Sequence, residues 1–242
     1  MEDFDPAFSV ASAKRYDDEK RGDEAAAAQF LARLATDGTA LEFAIGTGRI
    51  AVPLTELGVH VSGVELSEPM VDILRANDRG ADMPVTIGDM STEKVPGDFS
   101  VVYLVYNTIF NLTTQDAQVR CFKNAVRHLK PGGAFVIEAA VPSAWTKTHE
   151  YVRPESIGTR SVGFDVCRYD PVTQILEENH VHIGSGGIRF SPIVCRLAPP
   201  AELDLMARLA GLRLRERWGG WDGRDFDADS KLHVSVYERD DA

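Results

Sequence analysis

Short apolar runs in the first half of the chain alternate with segments in which apolar residues recur every three or four positions. The runs predict strands at Ala40–Ala44, Val59–Glu65, Val85–Ile87, Phe99–Tyr106 and Ala134–Ala139. The intervening segments have helical spacing. The fourth run is almost wholly apolar, as expected of a strand that is covered on both faces. Strands that alternate with helices predict a doubly wound parallel sheet with right-handed crossovers.

The pattern changes after residue 140, where residues 145–197 have the character of an insertion. Asp170-Pro171 is a turn signal between two apolar segments and predicts a β-hairpin. The further elements predicted from here to the end of the chain are strands at Asp165–Tyr169, Gln174–Ile183 and Phe190–Leu197, a helix at Pro200–Ala210, and strands at Leu212–Trp218 and His233–Glu238. Residues 145–197 are therefore expected to cover the sheet edge and to shape a substrate pocket.

The junction between the first strand and the following helix is the most informative local pattern. The first strand runs into Gly46-Thr47-Gly48, and the second strand ends at Glu65. Glycines lack Cβ and tolerate positive φ, so they let the backbone approach a ligand closely. A carboxylate at the tip of the next strand can accept both hydroxyls of a ribose. The unit therefore predicts a nucleoside-containing ligand at the carboxyl ends of the strands.

Composition narrows the possible partners. The 242-residue chain has 26 basic and 37 acidic residues and a formal net charge of −11. This balance disfavours nucleic acid, which requires a basic surface. The three cysteines are far apart and odd in number, so a reducing cytoplasm is expected. There is no apolar run long enough for a membrane span and no signal-peptide pattern, so no membrane partner is expected.

Four motifs in this order resemble those of class I S-adenosylmethionine (SAM)-dependent methyltransferases. The motifs are Glu42-x-Ala44-x-Gly46-Thr47-Gly48, Glu65-Leu66-Ser67, Gly88-Asp89-Met90 and Leu129-Lys130-Pro131-Gly132-Gly133. The resemblance covers about residues 37–140 and is closest to bacterial enzymes that modify natural products, including N-methyltransferases of amino sugars. One departure is Ala44, where the family usually has glycine; alanine is expected to fit there if φ stays negative.

The resemblance implies SAM as the cofactor and assigns a role to each motif. Glu65 would bind the ribose diol and Asp89 the adenine amino group, with Met90 beside the ring. Glu42 would face the cationic end of the cofactor. Asn107, also a candidate catalytic residue, would lie near the sulfonium and the reacting methyl group. The other implied cofactor-binding residues are Tyr16, Ala44, Gly46, Thr47, Gly48, Leu66, Met70, Gly88, Tyr106 and Phe110.

Three residues after the fifth strand are candidates for the acceptor site. Trp145 and Tyr151 could form a wall of an acceptor pocket, and His149 could be a general base. The alternative for all three is a surface loop. An amine acceptor needs only proton loss and alignment, whereas a hydroxyl acceptor would require a general base such as His149.

The pattern and the resemblance together imply an α/β, Rossmann-like, doubly wound seven-stranded sheet. It is expected to be mostly parallel, with an antiparallel last strand and an antiparallel β appendage. We expect an N-terminal lid and helix (1–36), a SAM-binding core (37–140), an acceptor-covering insertion (141–198) and a C-terminal helix with the final strands (199–242). The expected partner is a small metabolite with an amine or hydroxyl, and the expected state is a monomer or homodimer.

Two other functions fit parts of the sequence. Gly46-x-Gly48-x-x-Ala51 loosely matches the dinucleotide fingerprint of nicotinamide dehydrogenases. Glu42 would then lie near a pyrophosphate, which is electrostatically unfavourable. A SAM-binding domain without catalysis is the other alternative. His180 and His182 share one strand face and could bind a metal, but two polar positions on a half-exposed hairpin are favoured, and no metal is expected.

Overall fold

The computed structural model describes residues 13, 16, 21–147 and 149–239. Most of the predicted N-terminal lid lies outside these residues, although Tyr16 is described. The strands are β1 (Thr39–Phe43), β2 (His60–Glu65), β3 (Val85–Ile87), β4 (Phe99–Leu104), β5 (Leu129–Ala140), β6 (His149–Ile157), β7 (Val162–Asp170), β8 (Ile175–Gly184), β9 (Gly187–Arg196), β10 (Leu212–Trp218) and β11 (Leu232–Arg239). The α-helices are α1 (Glu24–Leu34), α2 (Ala51–Glu56), α3 (Glu68–Ala76), α4 (Gln115–His128), α5 (Pro142–Trp145) and α6 (Pro200–Leu209).

Seven strands form the main sheet in the order β10-β11-β5-β4-β1-β2-β3. Strands β1 to β5 pair in parallel with one another, and β11 is antiparallel to both β5 and β10. The strand order turns around between β1 and β4, which leaves a crevice at their carboxyl ends where ligands of such sheets collect. The predicted mostly parallel sheet with an antiparallel last strand is confirmed.

Two apolar clusters cover the two faces of this sheet. One cluster contains Phe122 and Phe135, whose ring centroids are 5.2 Å apart; the other contains Leu31 on α1 and Leu54 on α2. Both clusters consist largely of fully buried side chains, whose removal from water is the main stabilising contribution to the fold. The sheet is thus a rigid base for the loops at its carboxyl edge.

The ends of two elements differ from what the sequence pattern suggests. Asp23, a helix-capping residue type, occupies the N-cap position of α1, but its carboxylate accepts a hydrogen bond from Arg49 Nη1 at 2.5 Å and makes no capping hydrogen bond. Strand β5 begins at Leu129 rather than Ala134: Phe99 pairs with Leu129 while Val101 pairs with Ala134, so the intervening Pro–Gly segment is an irregularity inside the ladder. Gly132, with φ of 74°, permits this local bend.

Strands β6 to β9 form a second, antiparallel sheet, called here the roof sheet. Its inner face includes Cys167, Leu176 and Cys195, which are buried in the cluster that also covers the main sheet. Its outer face exposes the apolar side chains of Val152, Ile157, Val162, Val166, Ile183, Ile188, Phe190 and Val194. An exposed apolar face of this kind is typical of an interaction surface, which favours the homodimer over the monomer; the oligomeric state stays a prediction.

Strand β6 was not predicted as a strand, because its sequence is mostly polar and lacks an apolar alternation. Among the described strands it lies at the edge of its sheet and pairs with β7, and Pro154 lies where the register shifts. A proline is tolerated at such an edge position. None of the helices in the described part of the chain is long and apolar enough to cross a membrane.

Candidate functional site

A cavity of about 280 Å³ opens at the carboxyl ends of β1, β2 and β3. Glycine turns, acidic strand tips and apolar side chains form its wall. The lining residues are Tyr16, Ala44, Gly46, Val64, Glu65, Leu66, Met70, Gly88, Asp89, Met90, Thr108, Asn111 and Leu112. Most of the residues that the sequence motifs implied for the cofactor are therefore together in one place, although they come from separate parts of the chain.

The carboxylate of Glu65 is anchored between two backbone amides. Its Oε2 accepts a hydrogen bond from Gly46 N at 2.9 Å, and its Oε1 accepts one from Ser67 N at 2.8 Å. The residue is 7% exposed. These contacts hold the acidic tip of β2 against the turn that follows β1, and they fix the direction in which the carboxylate faces the cavity.

The glycine turn needs its glycines for two different reasons. Gly46 and Gly48 have φ of 59° and 83°, a region that side chains rarely adopt. A Cβ on Gly48 would lie 2.4 Å from Leu74 Cδ1, so this glycine also permits the turn to pack on α3. Of the two, Gly46 lines the cavity and presents only main-chain atoms to it.

Ala44 contradicts the expectation of a negative φ, since its φ is 54°. The turn that brings Gly46 N to Glu65 imposes this backbone conformation, which places an alanine where glycine is favoured. An L-residue in the left-handed region costs about 1–2 kcal/mol. The departure from the family motif at Ala44 is therefore a strained position and not a neutral replacement.

We predict that Ala44→Gly raises the free energy of unfolding by about 0.5–1 kcal/mol, because relief of the left-handed strain exceeds the extra chain entropy of glycine. Chemical denaturation measures the change. The matched control is Ala40→Gly in β1, where a buried strand residue loses its Cβ and the protein should become less stable. A loss of stability in Ala44→Gly comparable to that of the control would contradict the assignment of strain.

The Gly88-Asp89-Met90 segment is held from two directions. Asp89 Oδ1 accepts a hydrogen bond from Ser91 N at 2.7 Å, and Asn124 Nδ2 on α4 donates to the carbonyl of Met90 at 3.0 Å. The second contact fixes the segment to α4. Asp89 and Met90 thus reach the cavity on an ordered turn.

Tyr106 and Asn107 follow β4 in an unusual conformation, with φ of 55° and 64°. Tyr106 N donates to Glu138 Oε2 at 2.8 Å, and Asn107 Oδ1 accepts from Ala140 N at 2.6 Å. Consecutive left-handed residues persist only where surrounding contacts determine them, and such strain concentrates at functional sites. Neither residue lines the cavity itself; they lie between it and the end of β5.

The sequence motifs did not identify Arg21 as a residue near the cofactor cavity. Its guanidinium lies 3.3 Å from the centroid of the Tyr106 ring and 4.9 Å from that of Tyr16, which lines the cavity. Arg49 was also missed; it ion-pairs with Asp23 and lies 5.6 Å from the Tyr106 ring. Arg49 directly follows the glycine turn and could have been noticed there. No motif in the sequence marks Arg21.

Glu42 lies beneath the glycine turn and not on the cavity wall. It is 2% exposed and accepts a hydrogen bond from the Tyr103 hydroxyl at 2.9 Å. Burial raises the pKa of Glu42 to about 8, against the opposing effect of that hydrogen bond. Thr47 and Gly48 also lie outside the lining set.

The acceptor candidates are placed around the junction of α5 and β6. Trp145 is half-buried, and its ring centroid lies 6.3 Å from that of the buried Phe110. The Tyr151 hydroxyl donates to the carbonyl of Trp145 at 3.1 Å. His149 is exposed at the start of β6 with φ of 65°. Trp145, Phe110 and Tyr151 form one connected group, whereas His149 stays a sequence-based prediction outside the cavity wall.

The chemistry of the cavity suits SAM better than a dinucleotide. Among the described residues that line it, there is no lysine or arginine to bind a pyrophosphate. Glu65 and Asp89 offer acceptors for ribose hydroxyls and an adenine amino group, and Leu66, Met70 and Met90 offer apolar contact for a ring. The bare turn at Gly46 leaves room for close approach of a ligand.

Comparison with known proteins gives a consistent result. A family model described as a methyltransferase domain matches residues 40–133. The CcbJ methyltransferase from Streptomyces caelestis has 38% identity, coverage of 97% of this chain and 98% of that chain, and a TM-score of 0.91.

Two further relatives are each 29% identical to this chain in sequence. The cypemycin N-terminal methyltransferase from a Streptomyces species is 29% identical over 208 residues, which is 83% of each chain. A dTDP-3-amino-3,4,6-trideoxy-alpha-D-glucopyranose N,N-dimethyltransferase from Streptomyces venezuelae is 29% identical over 200 residues, 76% of this chain and 79% of that protein. The order of the sheet, the chemistry of the cavity and these similarities agree: the chain belongs to the class I SAM-dependent methyltransferases.

Proposed function

We propose that this enzyme methylates an amine of a small natural-product or sugar acceptor. The observation that supports the proposal is the roof sheet, whose buried Cys195 lies against Asn111 of the 3₁₀ turn Thr108–Asn111 at the cofactor cavity. A sheet in this position would suit a small acceptor better than a nucleic acid. The amine is favoured over the hydroxyl because one relative is named as an N-terminal methyltransferase and another as an N,N-dimethyltransferase of an amino sugar.

The cofactor supplies an electrophilic methyl group on a sulfonium centre. Glu65 would accept the ribose hydroxyls, while Asp89 would accept from the adenine amino group beside Met90. Gly46 would present bare main chain to the ligand. Tyr16 would close the open side of the cavity from the N-terminal segment, with Arg21 behind it as a cation for the carboxylate end of the methionine portion.

The acceptor side would be formed by the group around Trp145. Trp145 and Tyr151 would line the acceptor pocket. Tyr106 and Asn107 would border the reacting methyl group, and their hydrogen bonds to Glu138 and Ala140 would hold them in place. Methyl transfer is an in-line displacement, so the main contribution of these residues is to align the two reactants and to exclude water.

The direct experiment is methyl transfer from isotope-labelled SAM to paired acceptors that differ only in an amine or a hydroxyl at one position. We expect the amine member, such as a dTDP-amino sugar or a peptide with a free N-terminus, to be labelled at least tenfold faster. Equal or faster labelling of the hydroxyl partners would reject the amine assignment. Thermal stabilisation by SAM but not by NAD is the accompanying test of cofactor occupancy.

A further inference from the structure

A buried glutamine on α4, Gln118, connects the wall of the cofactor cavity to the roof sheet. The residue is fully buried. Its Nε2 donates to the carbonyl of Ile109 at 3.2 Å and to the carbonyl of Arg196 at 2.9 Å, and its Oε1 accepts from Arg196 Nη1 at 2.5 Å. Ile109 belongs to the 3₁₀ turn Thr108–Asn111, and Arg196 is the last residue of β9. One side chain therefore holds a helix, a turn and the end of a roof strand together.

The neighbours of Gln118 determine the orientation of its amide. A backbone carbonyl only accepts hydrogen bonds, and a guanidinium only donates them. Nε2 must therefore face the two carbonyls, and Oε1 must face Arg196. Because both the donor and the acceptor side of the amide are engaged, residues of similar size cannot replace it. An ionised glutamate has no hydrogen to donate, and methionine offers neither a donor nor a comparable acceptor.

The bond from Gln118 acts directly on the backbone of the cavity wall. The carbonyl of Ile109 also accepts a hydrogen bond from Leu112 N at 3.3 Å, which closes the turn. Thr108, Asn111 and Leu112 line the cavity, whereas Ile109 is fully buried in the apolar cluster. The hydrogen bond thus reaches the same short segment that presents three residues to the cofactor, with no other side chain in between.

Arg196 is held firmly on its other side. Its Nη2 donates to Gln174 Oε1 at 2.5 Å and to Glu202 Oε1 on α6 at 2.6 Å, and the residue is 6% exposed. Burial would raise the pKa of Glu202, but the hydrogen bonds that its carboxylate accepts from Arg196 and two glutamines outweigh burial and lower the pKa. Arg196 consequently has an ionised partner at neutral pH. A guanidinium held by several charge-assisted hydrogen bonds has a fixed position, so Gln118 rests on a rigid support.

Removal of the Gln118 amide would affect both of its neighbours. The carbonyl and Nη1 of Arg196 would each lose a partner, and the carbonyl of Ile109 would keep only Leu112 N. Buried polar groups that lose a partner are costly. The turn and the end of β9 would therefore shift towards positions in which these groups find other partners, and the cavity-lining residues of the turn would shift with them.

We propose that Gln118 is a positioning residue for the cofactor, which holds the 3₁₀ turn where SAM requires it and couples SAM binding to the roof sheet through Arg196. Gln118 does not line the cavity, so it acts through the turn. Coupling between two sites is reciprocal. SAM should therefore order the end of β9 as well as the turn. The inference concerns the cofactor alone and holds whichever acceptor is methylated.

Calorimetry with SAM compares the wild type with Gln118→Glu and Gln118→Met. Gln118→Glu keeps the size of the side chain and an acceptor for Arg196 but cannot donate to Ile109, whereas Gln118→Met removes both functions. We expect the SAM dissociation constant to rise about tenfold in each variant, the scale for a buried acceptor that loses its donor. Wild-type affinity in the folded variants would overturn the proposal.

Ser100→Ala is the matched control, because it also removes a buried side-chain hydrogen bond to a backbone carbonyl. Ser100 Oγ donates to the carbonyl of Thr39 at 2.8 Å, at the amino ends of β4 and β1 and therefore at the edge of the sheet opposite the cavity. We expect this variant to lose stability in urea denaturation and to bind SAM as the wild type does. If it weakens SAM binding as much as the Gln118 variants do, the effect is one of general stability and the proposal fails.

Hydrogen exchange tests the coupling in the unaltered protein and does not depend on a variant that folds. Saturating SAM should slow amide exchange in residues 108–112 and also in residues 193–197 at the end of β9. In Gln118→Glu, saturating SAM should protect residues 193–197 less than it does in the wild type. Protection that is confined to residues 108–112 in the wild type would overturn the proposal.

Two comparisons separate this inference from the others. Unchanged SAM affinity in both Glu65→Ala and the Gln118 variants would reject the cavity as the cofactor site, and this inference with it. Weakened binding in Glu65→Ala alone would reject only the role of Gln118. Because SAM binding is measured without an acceptor, a wild-type enzyme that labels no amine would contradict the proposed function and leave the expected results for Gln118 unchanged.

Discussion

Glu65→Ala should weaken SAM binding by on the order of 1–3 kcal/mol, the scale for losing hydrogen bonds to a charged group. This corresponds to roughly a 5- to 150-fold higher dissociation constant. The effect has two physical sources. The ribose would lose its acidic acceptor, and the amides of Gly46 and Ser67 would lose the carboxylate that now holds the turn. Isothermal titration calorimetry with SAM measures the change.

Two variants separate the causes of that loss. Glu65→Gln keeps one acceptor oxygen and removes the charge, so its affinity should fall between those of the wild type and Glu65→Ala. Glu68→Ala removes an exposed carboxylate three residues away on α3 and should bind SAM as the wild type does. Unchanged affinity in Glu65→Ala would contradict the ribose assignment, and equal losses in Glu65→Ala and Glu68→Ala would indicate a general charge effect.

The centre of the main sheet could be predicted from sequence because β1 and β4 are buried on both faces. Continuous apolar runs such as Phe99–Leu104 leave few alternatives. Strand β6 carries no such signal, since it is a polar edge strand whose pairing is decided by β7 and not by its own composition. Its existence depends on tertiary contacts that the local pattern does not encode.

The residues of the candidate site also divide into those with a local sequence signal and those placed by tertiary contacts. Gly46, Glu65 and Asp89 were predictable because each lies at the end of a strand, where local sequence and position in the sheet agree. Asn111 and Leu112 were not, because they lie at the end of a 3₁₀ turn and directly after it, in a segment with no motif. The positive φ of Ala44 was also invisible in the sequence, because contacts between β1 and β2 impose it.

The buried Glu42 makes a second large prediction, which concerns pH and stability. Its pKa is about 8 in the folded protein and about 4.5 when solvated, so between these values the folded state holds a proton that the unfolded state has lost. The stabilisation is complete below about pH 4.5 and disappears as pH rises through 8. Within this window Glu42 should lower the free energy of unfolding by up to about 1.4 kcal/mol per pH unit.

Glu42→Gln removes this titration while it keeps an oxygen that can accept from the Tyr103 hydroxyl. We expect the variant to be more stable than the wild type at pH 8–9, by several kcal/mol at most, and the difference to shrink steadily towards pH 5. Urea denaturation at a series of pH values measures both proteins, and Glu68→Gln controls for the loss of one acidic charge at the surface. A stability difference that is independent of pH would mean that Glu42 is ionised in the folded protein, with Arg49 and the Tyr103 hydroxyl compensating its burial. In that case the carboxylate beneath the glycine turn would be a standing negative charge next to the cofactor cavity, and the variant should instead weaken SAM binding at neutral pH.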